Sequence, residues 1–107
     1  MTHNELPPIV QETVKQYPHV WDAYNKLGSA VGEAGPLDAK TERLVKLAIA
    51  VGAGLEGAVR SHTRRGLTAE LTREEMKHVA LLGITTVGWP TAIAGLSWIV
   101  DELEKAK

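Results

Sequence analysis

Apolar residues recur at three- and four-residue intervals along nearly the whole of this chain, and nowhere do they alternate in twos between turn residues. The first spacing lays side chains along one face of a helix and the second along one face of a strand, so the pattern predicts an all-α fold. Val10, Val14 and Tyr17 mark a first helix from about Pro8 to Gln16. It stops where Pro18 disfavours a helical backbone in the residue before it, and Pro18 itself opens a second helix. Val20, Tyr24, Leu27 and Val31 stripe that helix up to Gly32 and the Gly35-Pro36 break. Asp38 is a candidate N-cap for a third, and a fourth begins near Leu55 once Gly52 and Gly54 have weakened the third. Thr72-Arg73-Glu74-Glu75 reads as a capping box that starts a fifth helix. Its inner face is Met76, Val79, Ala80, Gly83 and Val87, and Gly88-Trp89-Pro90 ends it. Pro90 opens a sixth, striped by Ile93, Leu96, Val100 and Leu103, with Asp101, Glu102, Glu104 and Lys105 on its solvated side.

Between Leu44 and Leu55 only Lys46 is charged. A helix so apolar around its circumference is expected at the centre of the domain and against another subunit. The 107 residues suit one domain, 1–107, in which six short helices carry more apolar surface than a monomer of this size buries. Twelve basic residues against thirteen acidic ones give no field that would gather nucleic acid or anionic lipid. No apolar run is long enough for a membrane span. Met1 to Pro8 lacks the basic and apolar regions of a secretion signal, so the cytoplasm is the expected compartment. There is no cysteine. Disulfides, thiolate metal sites and thiol catalysis therefore have no sulfur to use.

Leu37-Asp38-Ala39-Lys40-Thr41 to Ile49, then Leu55-Glu56-Gly57-Ala58-Val59-Arg60-Ser61-His62, resembles the core of the carboxymuconolactone decarboxylase and AhpD-like alkylhydroperoxidase family. Gly66-Leu67, Glu70, Thr72-Arg73-Glu74-Glu75-Met76 and Gly88-Trp89-Pro90 extend the likeness, which covers about residues 37–94. The resemblance implies an AhpD-like six-helix orthogonal bundle that assembles as a homo-trimer or homo-hexamer. In the peroxidase members of this peroxiredoxin-related family, a Cys-x-x-Cys pair precedes a histidine by four residues. His62 matches that histidine, and the two cysteine positions fall on Leu55 and Ala58. The relay glutamate of those members falls on Arg43, with Glu42 one residue away. Thiol peroxidase chemistry is thereby excluded. The lactone decarboxylases of the family use acid/base residues without metal or organic cofactor, and the resemblance extends that expectation to this chain.

His62 is the centre of such a site, because an imidazole exchanges protons near neutral pH. Glu42 and Glu56 are the candidate acids beside it, and Arg43, Lys46 or Arg65 the candidate clamps for a small carboxylated, lactone-like ligand. Each has a plainer reading. His62 suits a histidine hydrogen-bonded inside the core or a subunit interface, and Glu56 a carboxylate complementing a helix dipole. Arg60, Arg64 and Arg65 suit a solvated or ion-paired surface near a helix C-terminus. Glu74 and His78 lie one turn apart, with no third ligand to make a metal site. Trp21, Trp89 and Trp98 fill core or interface volume. The competing class is a non-catalytic oligomer that serves as a binding or interaction protein on the same scaffold.

Overall fold

A computed structural model describes residues 6–107, so most of the N-terminal stretch read for a secretion signal lies outside the described residues. Six helices follow one another: α1 Pro8–Gln16, α2 Pro18–Glu33, α3 Ala39–Gly52, α4 Glu56–Leu67, α5 Arg73–Gly83 and α6 Trp89–Lys105. Among the described residues there is no strand, and no helix is long and apolar enough to cross a membrane. The two capping signals act as their chemistry dictates. The Asp38 carboxylate accepts from the backbone N–H of Thr41 at 2.8 Å. At α5 the Thr72 hydroxyl accepts from the Glu75 N–H at 3.0 Å, while Glu75 accepts from the Thr72 N–H at 2.8 Å. Lys40 adds an ion pair to Glu75 at 2.8 Å that joins the start of α3 to the start of α5. Thr72→Ala is expected to cost about 1 kcal/mol, measured by urea unfolding, because a first-turn donor loses its acceptor.

Helix α3 is central, contacting α4, α5 and α6. Its Leu47, Ala50 and Val51 meet Val59 of α4, Met76 and Ala80 of α5, and Ile99 and Leu103 of α6 in one buried cluster. Gly95 is what lets α6 approach α3. A Cβ there would lie 2.7 Å from Val51 Cγ1 and 3.0 Å from its Cγ2. The end of α3 is a Schellman turn: Leu55 N–H donates to Ala50 O, Gly54 N–H donates to Val51 O, and Gly54 takes a φ of +69°. That turn fixes where α4 begins and which residues its first turn presents.

Two expectations need correction. Helix α5 stops at Gly83 rather than reaching Gly88, and both Thr86 and Val87 donate back to Gly83 O in a turn. The run Ile84-Thr85-Thr86-Val87 is wholly β-branched, the residue type that loses most by continuing a helix. Glu102, assigned above to the solvated side of α6, is 5 % exposed. It accepts from Arg64 at 2.9 Å and from Arg60 at 2.8 Å, so two cations on α4 draw it inward. The apolar stripe of α2 is not part of the core. Val20, Tyr24, Leu27 and Val31 stay 55–62 % exposed, because α1 and α2 pack on each other and α2 makes no extensive contact with α3–α6. The radius of gyration, 14.3 Å, accordingly exceeds the roughly 13 Å of a compact chain of this length.

Candidate functional site

The α3–α4 corner gathers the candidate residues. After the Schellman turn, Leu55 caps α4, and the three- and four-residue spacing of Leu55, Ala58, His62 and Arg65 sets them along one helix face. Leu55 is exposed, while Ala58, His62 and Arg65 are half-buried. Burial acts first on the imidazole, and the charges of Arg65, Lys46 and Arg43 act with it, so the pKa of His62 lies below its ordinary 6.5. Both effects disfavour a cation. The ring is not sealed off: no carboxylate or carbonyl bonds to it, yet no side-chain nitrogen among the described residues is both fully buried and without a partner. His62 is therefore within reach of solvent, and burial together with the positive charges of Arg65, Lys46 and Arg43 disfavours its protonation.

Those cations differ from their neighbours on the same helices. Arg60 and Arg64 are committed to α6, with Arg60 at once bonded to Glu56, Asp101 and Glu102. Among the described residues, Arg43, Lys46 and Arg65 make no ion pair with a carboxylate. Their charges act on the imidazole without a carboxylate among the described residues paired to any of them. The surface reading of the α4 arginines thus holds for Arg60 and Arg64 as ion pairs and leaves Arg65 facing His62.

The two candidate acids go elsewhere. Glu56 stands in the first turn of α4, where its carboxylate accepts from Arg60 Nε at 3.0 Å. Glu42, in the first turn of α3, lines a cavity of about 240 Å³ between α2 and α3 together with Lys46, Val31 and Ile49. A Cβ on Gly32 would come within 3.2 Å of its Oε1, which shows how closely the end of α2 approaches it. Lys46 belongs to both places, lining this cavity and charging the surroundings of His62. A second cavity, of about 490 Å³, lies between α3 and α5, lined mainly by Leu44, Val45, Ala48, Val51 and Leu82, with Glu75 and His78 at its edge.

The model of the carboxymuconolactone decarboxylase family matches residues 18–101, most of the chain. The chain belongs to that family. The match takes in α2 and runs into α6, well beyond the motif-bearing stretch 37–94. An uncharacterized protein of Haemophilus influenzae is similar, 45 % identical over 51 residues, which are 48 % of this chain and 45 % of that protein. The chain thus aligns with less than half the length of that relative. No solved structure matches it. In this carboxymuconolactone decarboxylase family member, the positions where the resemblance places two cysteines hold aliphatic side chains at the mouth of α4. The buried acid of the α4–α6 contact, Glu102, escaped sequence reasoning. Its one signal was the pair Arg60 and Arg64, four residues apart on a helix that had to pack against something.

Proposed function

We propose that this family member binds a small carboxylated compound against Arg43, Lys46 and Arg65, and that His62 exchanges the proton in a cofactor-free decarboxylation or proton transfer. The observation that supports this is a solvent-reachable imidazole whose protonation burial and the charges of Arg65, Lys46 and Arg43 disfavour, those three cations making no ion pair among the described residues. A bound carboxylate offsets those charges and raises the His62 pKa, so ligand binding itself supplies an imidazolium. In a decarboxylation, the bond from the carboxylate carbon to the ring breaks and CO2 leaves. Its electron pair passes to the ring carbon and the adjacent lactone carbonyl, and the imidazolium proton then quenches that carbon. Without a cysteine, no thiol–disulfide step of the protein enters, and a peroxide assay with a dithiol donor is expected to show no turnover.

NMR titration of the His62 imidazole tests the reading, with and without a millimolar lactone carboxylic acid. The expected result is an upward shift of the His62 midpoint. Arg65→Ala should weaken binding about tenfold or more, the scale of a charged hydrogen bond. A His62 midpoint indifferent to the acid overturns the reading. The same lowered pKa makes the fold sensitive to acid. Below pH 6.5 the unfolded chain takes up the His62 proton more readily than the folded one, so this part of the stability is lost as pH falls, and His62→Gln should reduce that loss.

One observation favours a second reading, binding without turnover. Catalytic bases are commonly oriented by a third group, and one candidate, Glu56, is held by Arg60 instead. Release of CO2 from the bound acid, lost in His62→Gln, separates the two.

A further inference from the structure

The cavity between α3 and α5, about 490 Å³ in volume, falls within the range of sites that hold small molecules, about 300–1,000 Å³. Leu44, Val51 and Val79 line it from the core side, and Val45, Leu82 and Val87 stand at its mouth, 40–59 % exposed. Two further lining residues are glycines, Gly52 at the end of α3 and Gly83 at the end of α5. The backbone does not demand them, since neither takes a positive φ. Close approach does not demand them either. A Cβ on Gly52 would meet nothing nearer than Val87 Cγ1 at 3.7 Å, and one on Gly83 nothing nearer than Ala92 Cβ at 3.5 Å, both ordinary contacts. Alanine would fit at both positions and favour the helix. What glycine does there is leave the space between the two helices open.

Three polar side chains stand at the edge, and two of them are already engaged. Lys40 and the Thr72 N–H both donate to the Glu75 carboxylate, and the Lys40 bond foremost holds its pKa below the ordinary 4.5. The Thr86 hydroxyl donates to Leu82 O at 3.4 Å. His78 is exposed, and its ring makes no hydrogen bond among the described residues. No lysine or arginine lines the cavity. An anionic guest would therefore shed water against apolar walls and gain no counter-charge, and a cationic one would meet a carboxylate that Lys40 already pairs. The guest that suits this lining is neutral, with one polar group.

We propose that the α3–α5 cavity binds a neutral, largely apolar alcohol or phenol, its body against Val51 and Leu82 and its hydroxyl bonded to His78. A hydroxyl both donates and accepts, so it satisfies whichever ring nitrogen is turned toward it. The inference does not rest on the carboxylate reading: none of His62, Arg43, Lys46 and Arg65 lines this cavity, so either can fail alone.

Methyl and imidazole NMR of the full chain, titrated with para-propylphenol, is the test. Saturable shifts are expected at Val45, Leu82 and Val87 and at the His78 ring. The benzoate with the same propyl body should bind at least tenfold more weakly, for want of a counter-charge. His78→Ala should weaken the phenol about fivefold, the scale of one hydrogen bond, and leave propylbenzene unchanged. Gly83→Ala should raise the Tm by a few degrees yet weaken the phenol, because the added methyl suits the helix and takes space from the guest. Ala48→Phe fills the cavity from the exposed side of α3 and should abolish binding with helical circular dichroism unchanged. Should it unfold, Val45→Trp at the mouth serves instead. The absence of saturable shifts overturns the proposal. So does a benzoate that binds as tightly as the phenol, or undiminished binding by folded Ala48→Phe or Val45→Trp. Phenol shifts that vanish as protein concentration rises, with the probe kept in excess, overturn it too, since a second copy then fills the cavity.

Discussion

Glu102→Ala is expected to lower the unfolding free energy by about 3 kcal/mol, a fall in Tm on the order of 15 °C for a domain of this size. Removing the carboxylate strips Arg60 and Arg64 of the acceptor they share, and both arginine side chains are themselves half-buried, at 23 % and 18 % exposure. The cost comes from the charges left behind more than from any net gain of the original pair, since a buried ion pair often does little better than an apolar substitute. Replacing Glu102 together with both arginines by leucines or methionines is therefore expected to restore much of the loss. Thermal unfolding of the single and triple variants decides it. A single variant within 1 kcal/mol of wild type would show that solvent reaches these arginines freely.

The same cluster sets the acid limit. Burial alone would raise the Glu102 pKa, but hydrogen bonds from Arg64, Arg60 and Lys105 outweigh it and hold the carboxyl below its ordinary 4.5. Asp101, bonded first to Arg60 and then to Lys105, lies below its ordinary 3.8. For a depressed carboxyl, the contribution is complete above the unfolded-state pKa and disappears as pH falls through the folded-state value. Wild type should therefore begin to lose this stabilisation below about pH 4.5, and Glu102→Gln, already without it, should show a flatter acid limb.

Gly95→Ala carries the second large effect, a loss of about 1–3 kcal/mol from one added methyl group. The new Cβ would sit 2.7 Å from Val51 Cγ1 and 3.3 Å from Val51 Cβ. A valine is stiff about χ1, and Val51 is itself buried on the central helix, so it has little room to turn aside. Relief must come from α6 moving off α3. Adding Val51→Ala to Gly95→Ala should recover part of the loss, and a double-mutant cycle should give a coupling above 0.5 kcal/mol. Additive effects would mean that the two helices are not held apart by this contact.

Much of the architecture was legible in the chain itself, because helices are local objects. Pro8, Pro18, Asp38, the Gly54 turn and the Thr72–Glu75 box are signals read within four or five residues, and they place helix starts almost to the residue. The end of α5 was not legible in this way. Gly88-Trp89-Pro90 is a strong stop signal, but the weak β-branched run before it had already ended the helix. The candidate site was legible only as a set of residue types. Spacing put His62 and Arg65 on one face, while Arg60, Arg64 and Arg65 read alike as cations near a helix end.

The sequence alone determined the helices, their caps, the want of sulfur at Leu55 and Ala58, and the family to which those offsets belong. Tertiary structure decided which charges are taken: Glu102 claims Arg60 and Arg64, Arg60 claims Glu56, and Arg43, Lys46 and Arg65, without an ion pair among the described residues, act on His62 by their charge. It also decided that the α2 stripe stays uncovered. The physical reason is common to both. Backbone hydrogen bonds and caps act over one turn of chain, whereas desolvation, ion pairing and apolar cover depend on what a distant helix brings alongside.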